Sequence, residues 1–82
     1  MPTIDRFNQF RVVIYPNDHR PSHGHVMGQE GEVVFQLQCP HGPLQLREVY
    51  RLSRRQVSDI ERRLDTRHET LCKHWRTIHG YH

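Results

Sequence analysis

Leu44-Gln45-Leu46-Arg47-Glu48-Val49-Tyr50-Arg51-Leu52-Ser53-Arg54-Arg55-Gln56-Val57-Ser58-Asp59-Ile60 contains the change of period that decides the fold. Residues 44–50 read as an extended strand, and the pattern switches at Ser53. Ser53-Arg54-Arg55-Gln56 has the form of a capping box, in which the hydroxyl and the Gln side chain reciprocally satisfy free backbone amides. Beyond it Val57, Ile60, Leu64, Leu71, Trp75 and Ile78 recur at intervals of three, four or their sum, one apolar stripe able to lie on a sheet, and Gly80 ends the run. A single helix of that length would extend about 40 Å at 1.5 Å per residue, long for so small a domain. Thr66-Arg67-His68-Glu69 offers a second capping box. The segment 53–79 is therefore either one long helix or one broken near residues 65–67.

Toward the N-terminus the signals are those of strands. Ile4 to Phe7 and Phe10 to Tyr15 are β-prone runs separated by Asn8-Gln9, as in a hairpin, and Pro16 ends the second. His25-Val26-Met27 begins another extended piece, and Gly28-Gln29-Glu30-Gly31 turns the chain into residues 32–39. There Val33, Phe35, Leu37 and Cys39 alternate with Val34, Gln36 and Gln38, the period of a half-buried strand. Pro40-His41-Gly42-Pro43 breaks it before the last strand. The expected fold is α+β: a small antiparallel β-meander of four or five strands in residues 1–52, packed against the helical segment 53–79, with residues 1–82 forming one domain.

With 82 residues, such a domain buries only about 60% of its unfolded surface, so a partner or homodimerisation would add stability. The chain is polar, 34% hydrophobic and 26% charged, but its apolar residues fall in periodic runs, which argues for a folded domain. No run approaches the roughly 20 apolar residues of a membrane span, and Met1-Pro2-Thr3-Ile4-Asp5-Arg6 lacks the layout of a signal peptide. A cytoplasmic location without membrane contact is expected, with Cys39 and Cys72 reduced, since two widely separated cysteines announce no disulfide framework.

The net charge of +3 is unevenly spread: residues 1–52 hold five Arg against five acids, whereas residues 53–82 hold seven basic residues against four acids. The excess, with Arg54, Arg55, Arg62 and Arg63 at its heart, suits a polyanion such as nucleic acid; an exposed helix face laced with ion pairs is the plainer account.

The densest chemistry lies in the loop 16–25, Asn17-Asp18-His19-Arg20-Pro21-Ser22-His23-Gly24-His25. Imidazole is a common metal ligand and the side chain whose ordinary pKa lies nearest neutrality. On a strand His23 and His25 point to one face, and the Pro21 turn can return His19 toward them. His19, His23 and His25, with Asp18 as fourth ligand or orienting group, could hold a divalent metal such as zinc. Without a metal, one imidazole serves as base and another as acid while Arg20 steadies a phosphate. Alternatively the three only hydrogen-bond the loop. Cys39-Pro40-His41 adds a further ligand pair at a turn, although a buried cysteine is the simpler reading. His68, His74, His79 and His82 read as helix-surface residues, Trp75 as core, and Tyr15 as a phenol near the histidine loop.

Met1-Pro2-Thr3-Ile4, Val12-Val13-Ile14-Tyr15, Asp18-His19-Arg20-Pro21-Ser22-His23-Gly24-His25-Val26 and the late Leu71 and Trp75 together resemble the small bacterial proteins grouped as domain of unknown function 4160. The likeness spans nearly the whole chain, and the histidine segment is its specific part. Ser22 departs from the second Pro usual there, and Cys39, His41 and Cys72 lie outside the pattern. The resemblance implies a toxin paired with a small antitoxin-like protein encoded by a neighbouring gene, and it carries over only Asp18, His19, His23 and His25. The functional expectation is a toxin-like protein that acts on or grips nucleic acid through His19, His23 and His25, as a nuclease would, with Arg20, Arg54, Arg55, Arg62 and Arg63 contacting the polyanion. The rival expectation is a non-catalytic protein- or DNA-binding module, a regulator or an inhibitor that blocks an enzyme, whose histidines are structural.

Overall fold

The computed structural model describes residues 3–17, 19 and 21–80. Five strands, β1 (Thr3–Phe7), β2 (Phe10–Val13), β3 (His23–Met27), β4 (Glu32–Gln36) and β5 (Gln45–Tyr50), are followed by two helices, α1 (Arg54–Asp65) and α2 (His68–His79). The strands form one open sheet in sequential order, each antiparallel to the next. Asn8 and Gln9 both have positive φ, 47° and 70°, the backbone demanded by a two-residue hairpin turn whose twist matches that of the strands. The Phe7 and Phe10 rings, 6.1 Å apart, close that hairpin.

Register separates the two faces of the sheet. Val12, Val26 and Val33 are successive cross-strand partners and belong to the core shared with Val57, Ile60, Leu64, Leu71 and Trp75 of the helices. Val13, His25 and Val34 form the neighbouring row, which alternation directs to the opposite face. β5 is exposed along its length, as an edge strand often is.

Ser53 caps α1 as expected: its hydroxyl accepts from the Gln56 amide at 3.1 Å, and Gln56 Oε1 accepts from the Ser53 amide at 2.9 Å. The helical segment is broken at residues 66 and 67, but the second capping box does not form. Thr66 terminates α1 and donates its hydroxyl proton to the Arg63 carbonyl at 2.8 Å, which turns the side chain away from the helix that follows. The break is held from outside. Arg67 pairs with Asp5 of β1 at 2.8 Å, and the Arg63 guanidinium lies 5.1 Å from the Phe7 ring centroid.

Two other expectations are corrected. Cys39 and Cys72 are joined in a disulfide across 33 positions of sequence, with Cα atoms 5.7 Å apart. The chain turns back after β4, which ends at Gln36, and this carries Cys39 to α2. Sequence distance did not measure their spatial separation. His68, expected on the helix surface, is half-buried and donates from Nε2 to the Leu37 carbonyl at 2.6 Å. No helix among the described residues is long and apolar enough to cross a membrane.

Closing a loop of this length withdraws conformational freedom from the unfolded chain, a stabilisation of about 3–4 kcal/mol in the chain-entropy account. Urea unfolding with and without a reductant should therefore differ by about that free energy, and coincident midpoints would show that the bond does not constrain the protein.

Candidate functional site: a histidine pair at the end of the sheet

The backbone of Leu37 fixes the start of β3. Its amide donates to the Ser22 carbonyl at 2.8 Å and its own carbonyl accepts from His68, so the end of the histidine loop is tied to both β4 and α2. Ser22 and His23 are buried as a result, although both are polar. From there β3 runs in register with β4, His23 opposite Gln36 and His25 opposite Val34.

His23 and His25, two positions apart on this strand, lie side by side with ring centroids 5.3 Å apart. In each the Nδ1 atom faces an acceptor. His23 Nδ1 is 2.8 Å from the Pro21 carbonyl, and His25 Nδ1 is 3.0 Å from Glu32 Oε2. A carbonyl or a carboxylate only accepts, so both Nδ1 atoms carry protons. Nε2 is then the atom that holds the lone pair in the neutral ring and the proton in the charged one. Glu32 also supplies a negative charge beside His25, with both side chains mainly shielded from water. Such a carboxylate orients the imidazole and fixes which nitrogen carries the proton.

The pair is embedded in aromatic rings. Tyr15 meets His25 edge to face at 5.0 Å, and its hydroxyl lies 3.5 Å from Met27 Sδ. On the other side the fully buried Trp75 ring lies 5.4 Å from His23 and 3.9 Å from His79, with which it stacks. Among the described residues, Trp75 Nε1 and His79 Nε2 are buried without a hydrogen-bond partner. An unmet buried polar group costs about 1–3 kcal/mol. His79 is the member of this group that sequence reading missed: it reads as a helix-end residue, and only its spacing of four from Trp75 hinted at the stack.

His19 is exposed in the loop, outside the packed pair. Asp18 and Arg20, expected as a metal ligand and a phosphate contact, lie outside the described residues. No group of three or more His, Cys, Asp or Glu among the described residues is arranged to hold a metal ion. The four helix arginines form a separate region. Arg54, Arg55 and Arg62 border one open surface patch, and Arg62 and Arg63 border another with Asn8 and Arg67. Asn8 belongs to the β1–β2 turn, whereas His25 pairs with Val13 at the far end of β2, so the arginines and the histidine pair are set toward opposite ends of that strand.

The histidine segment, β3 and the late tryptophan are the parts that point to a family, and a family model spans them. The chain belongs to the family described as domain of unknown function 4160. The match covers residues 10–76, from the first residue of β2 to one position beyond Trp75. No curated protein and no solved structure matches the chain. Within this domain of unknown function 4160, His79 stands just beyond the matched span, while His19, His23 and His25 lie inside it.

The two kinds of histidine should behave differently on truncation. His23→Ala removes a buried ring packed on Trp75 and is expected to cost about 1–3 kcal/mol. That corresponds to a fall in Tm of several degrees or more, at about 4–8 °C per kcal/mol for a domain of this size. His19→Ala should stay within about 0.5 kcal/mol of the parent. Equal melting temperatures for the two variants would contradict the packing described here.

Proposed function

We propose that this protein acts on nucleic acid as the toxin of a two-gene module, His23 and His25 moving protons at a phosphodiester. The observation that carries the reading is the paired geometry: two imidazoles in contact, each held through Nδ1, one of them backed by the Glu32 carboxylate. Cleavage of a phosphodiester needs one group to take a proton from the attacking oxygen and another to give one to the leaving oxygen. Two neighbouring imidazoles, a side chain able both to take and to give a proton, meet that need. His25, supported by Glu32, suits the base, and His23 the acid. His19 and Arg20 would approach the phosphate from the loop.

The exposed arginines of α1 supply the attraction. Arg54, Arg55, Arg62 and Arg63 belong to the only part of the sequence with excess positive charge, and each phosphate they neutralise releases condensed counterions. Their distance from the histidine pair suits a strand that runs across the domain rather than a single bound phosphate. The metal-dependent form of the same reading places a divalent ion on His19, His23 and His25 with Asp18; a chelator distinguishes the two forms. The toxin assignment and its antitoxin-like partner rest on the family resemblance.

A second reading has one observation in its favour. His23 is only 8% exposed and packs against Trp75, as a structural histidine would. The protein is then a non-catalytic module that binds DNA or a protein through α1.

Induced expression of the chain should arrest growth, and purified protein should cleave RNA or DNA. His25→Gln should lower the cleavage rate by about 10²–10⁴-fold, the usual contribution of one acid–base group, and relieve the arrest. Replacing Arg55 and Arg62 together should weaken binding and flatten its dependence on salt by close to one unit per lost phosphate contact in a log-log plot. Growth arrest that survives His25→Gln, with no cleavage by the parent protein, would support the binding module instead.

A further inference from the structure

The helices pack on the sheet face that carries Val12, Val26 and Val33, and register assigns a second pair of arginines to the other face. Arg6 of β1 and Arg11 of β2 are direct cross-strand partners, and Arg11 in turn faces Met27 of β3. Met27 faces Glu32 of β4, which completes the row. His25 and Val13 are partners two positions along the same strands, so alternation puts Arg6, Arg11 and His25 on one face. Arg11 is the diagonal neighbour of His25, a relation that separates two residues by about 7–8 Å.

Like charges directly opposite each other in a sheet repel. Nothing described in this chain relieves the repulsion here. Asp5, next to Arg6 in sequence, is held by Arg67, and Glu32 is held by His25. Met27, which accepts from the Tyr15 hydroxyl at 3.5 Å, stands between Arg11 and Glu32 in the row. Among the described residues neither Arg6 nor Arg11 has an ion-pair partner. Both border an open cleft of about 520 Å³ between the β1–β2 and β3–β4 turns, which Asn8 and Gln29 border with amides and Phe10 and Met27 with apolar groups.

We infer that Arg6 and Arg11 grip the backbone phosphates of a single nucleic acid strand in this cleft, and that the strand continues across the sheet face to His25. The inference rests on the function proposed above for the class of ligand, and it supplies the path between that function's two parts. Asn8 borders both this cleft and the patch that holds Arg62 and Arg63, so Arg6 and Arg11 lie between the basic face of α1 and the histidine pair.

The chemistry suits a phosphodiester. A guanidinium presents its N–H groups as a fork that matches two phosphate oxygens, and an anion between two guanidinium groups turns their repulsion into attraction to itself. A base on the same strand finds apolar surface in Phe10 and Met27, as single-strand sites commonly provide beside a basic groove. Gly28 lets the Phe10 ring lie flush against the second turn, since a Cβ there would stand 2.6 Å from it. Exposed arginines are ordinarily solvated; these two are opposed across a strand pair, lack a carboxylate, and share a face with the imidazole at which the phosphate is to react.

The test is a magnetic-resonance titration of the isotope-labelled full-length protein with a short single-stranded oligonucleotide, as RNA and as DNA, and separately with inorganic phosphate. At least one oligonucleotide should shift the Arg6 and Arg11 side-chain N–H signals and the Gly28 and Gln29 backbone signals, at lower concentration than inorganic phosphate does. Replacing both arginines by Gln should remove those shifts and flatten the salt dependence of binding by about 0.7 units per lost contact in a log-log plot. Arg6→Glu replaces a repelling pair by an attracting one, so it should weaken binding without lowering the melting temperature. Shifts confined to α1 and the histidine loop, or an Arg6→Glu protein that binds like the parent, would overturn the site. So would inorganic phosphate as the better ligand, and so would no response to any probe. Binding at Arg6 and Arg11 by a protein that cleaves nothing would remove the proton transfer proposed for His25 and uphold this site. Cleavage without a shift at either arginine would remove this site and leave that chemistry standing.

Discussion

Trp75 is fully buried where α2 meets the end of the sheet, its ring between those of His23 and His79. Trp75 is the largest of the α2 side chains in the core, and truncation of a buried Trp to Ala typically costs about 3–5 kcal/mol. The whole domain is expected to be stable by only about 4–12 kcal/mol at ordinary values per residue. The histidine pair therefore has little independence from the core. If Trp75 were displaced, His23 would lose its packing, and the register that sets His25 beside Glu32 would have one less anchor.

Three restraints hold α2 in the position that this burial requires. The Arg67 to Asp5 ion pair attaches its first turn to β1, the His68 to Leu37 hydrogen bond attaches it to the end of β4, and the Cys39–Cys72 bond attaches its middle to the turn. The first is partly exposed and contributes about 1 kcal/mol or less. The other two meet at one place, because Leu37 also donates to Ser22 at the start of the histidine strand. Leu37 thus links the first turn of α2 to the backbone beside His23.

The histidine pair and the arginines of α1 serve different steps in the function proposed here. A buried, oriented pair is suited to proton transfer, and an exposed basic face is suited to long-range attraction that weakens with salt. Putting the two at opposite ends of β2 keeps the guanidinium groups from competing with His25 for the Glu32 carboxylate. The burial of His23 sets the condition on this reading: a substrate must reach the pair from the side of His25 and the loop.

The meander, the helix stripe and its cap at Ser53, the hairpin turn at Asn8-Gln9 and the buried position of Trp75 were all legible in the sequence, because each depends on local periodicity or on hydrogen bonds within four residues. The pairing of His23 with His25 was legible for the same reason, since alternate residues of a strand share a face. The partnership of Cys39 with Cys72, the burial of His68, the stack of His79 on Trp75 and the Glu32 carboxylate at His25 were not. Each joins groups brought together by the turn of one element against another, and sequence spacing carries no measure of that approach. Thr66 shows the same limit at short range: its hydroxyl had two backbone partners within reach, the coming helix and the one just ended, and it went to Arg63. What the sequence determined alone was the period of each segment; which polar side chains met was decided by how the helices docked.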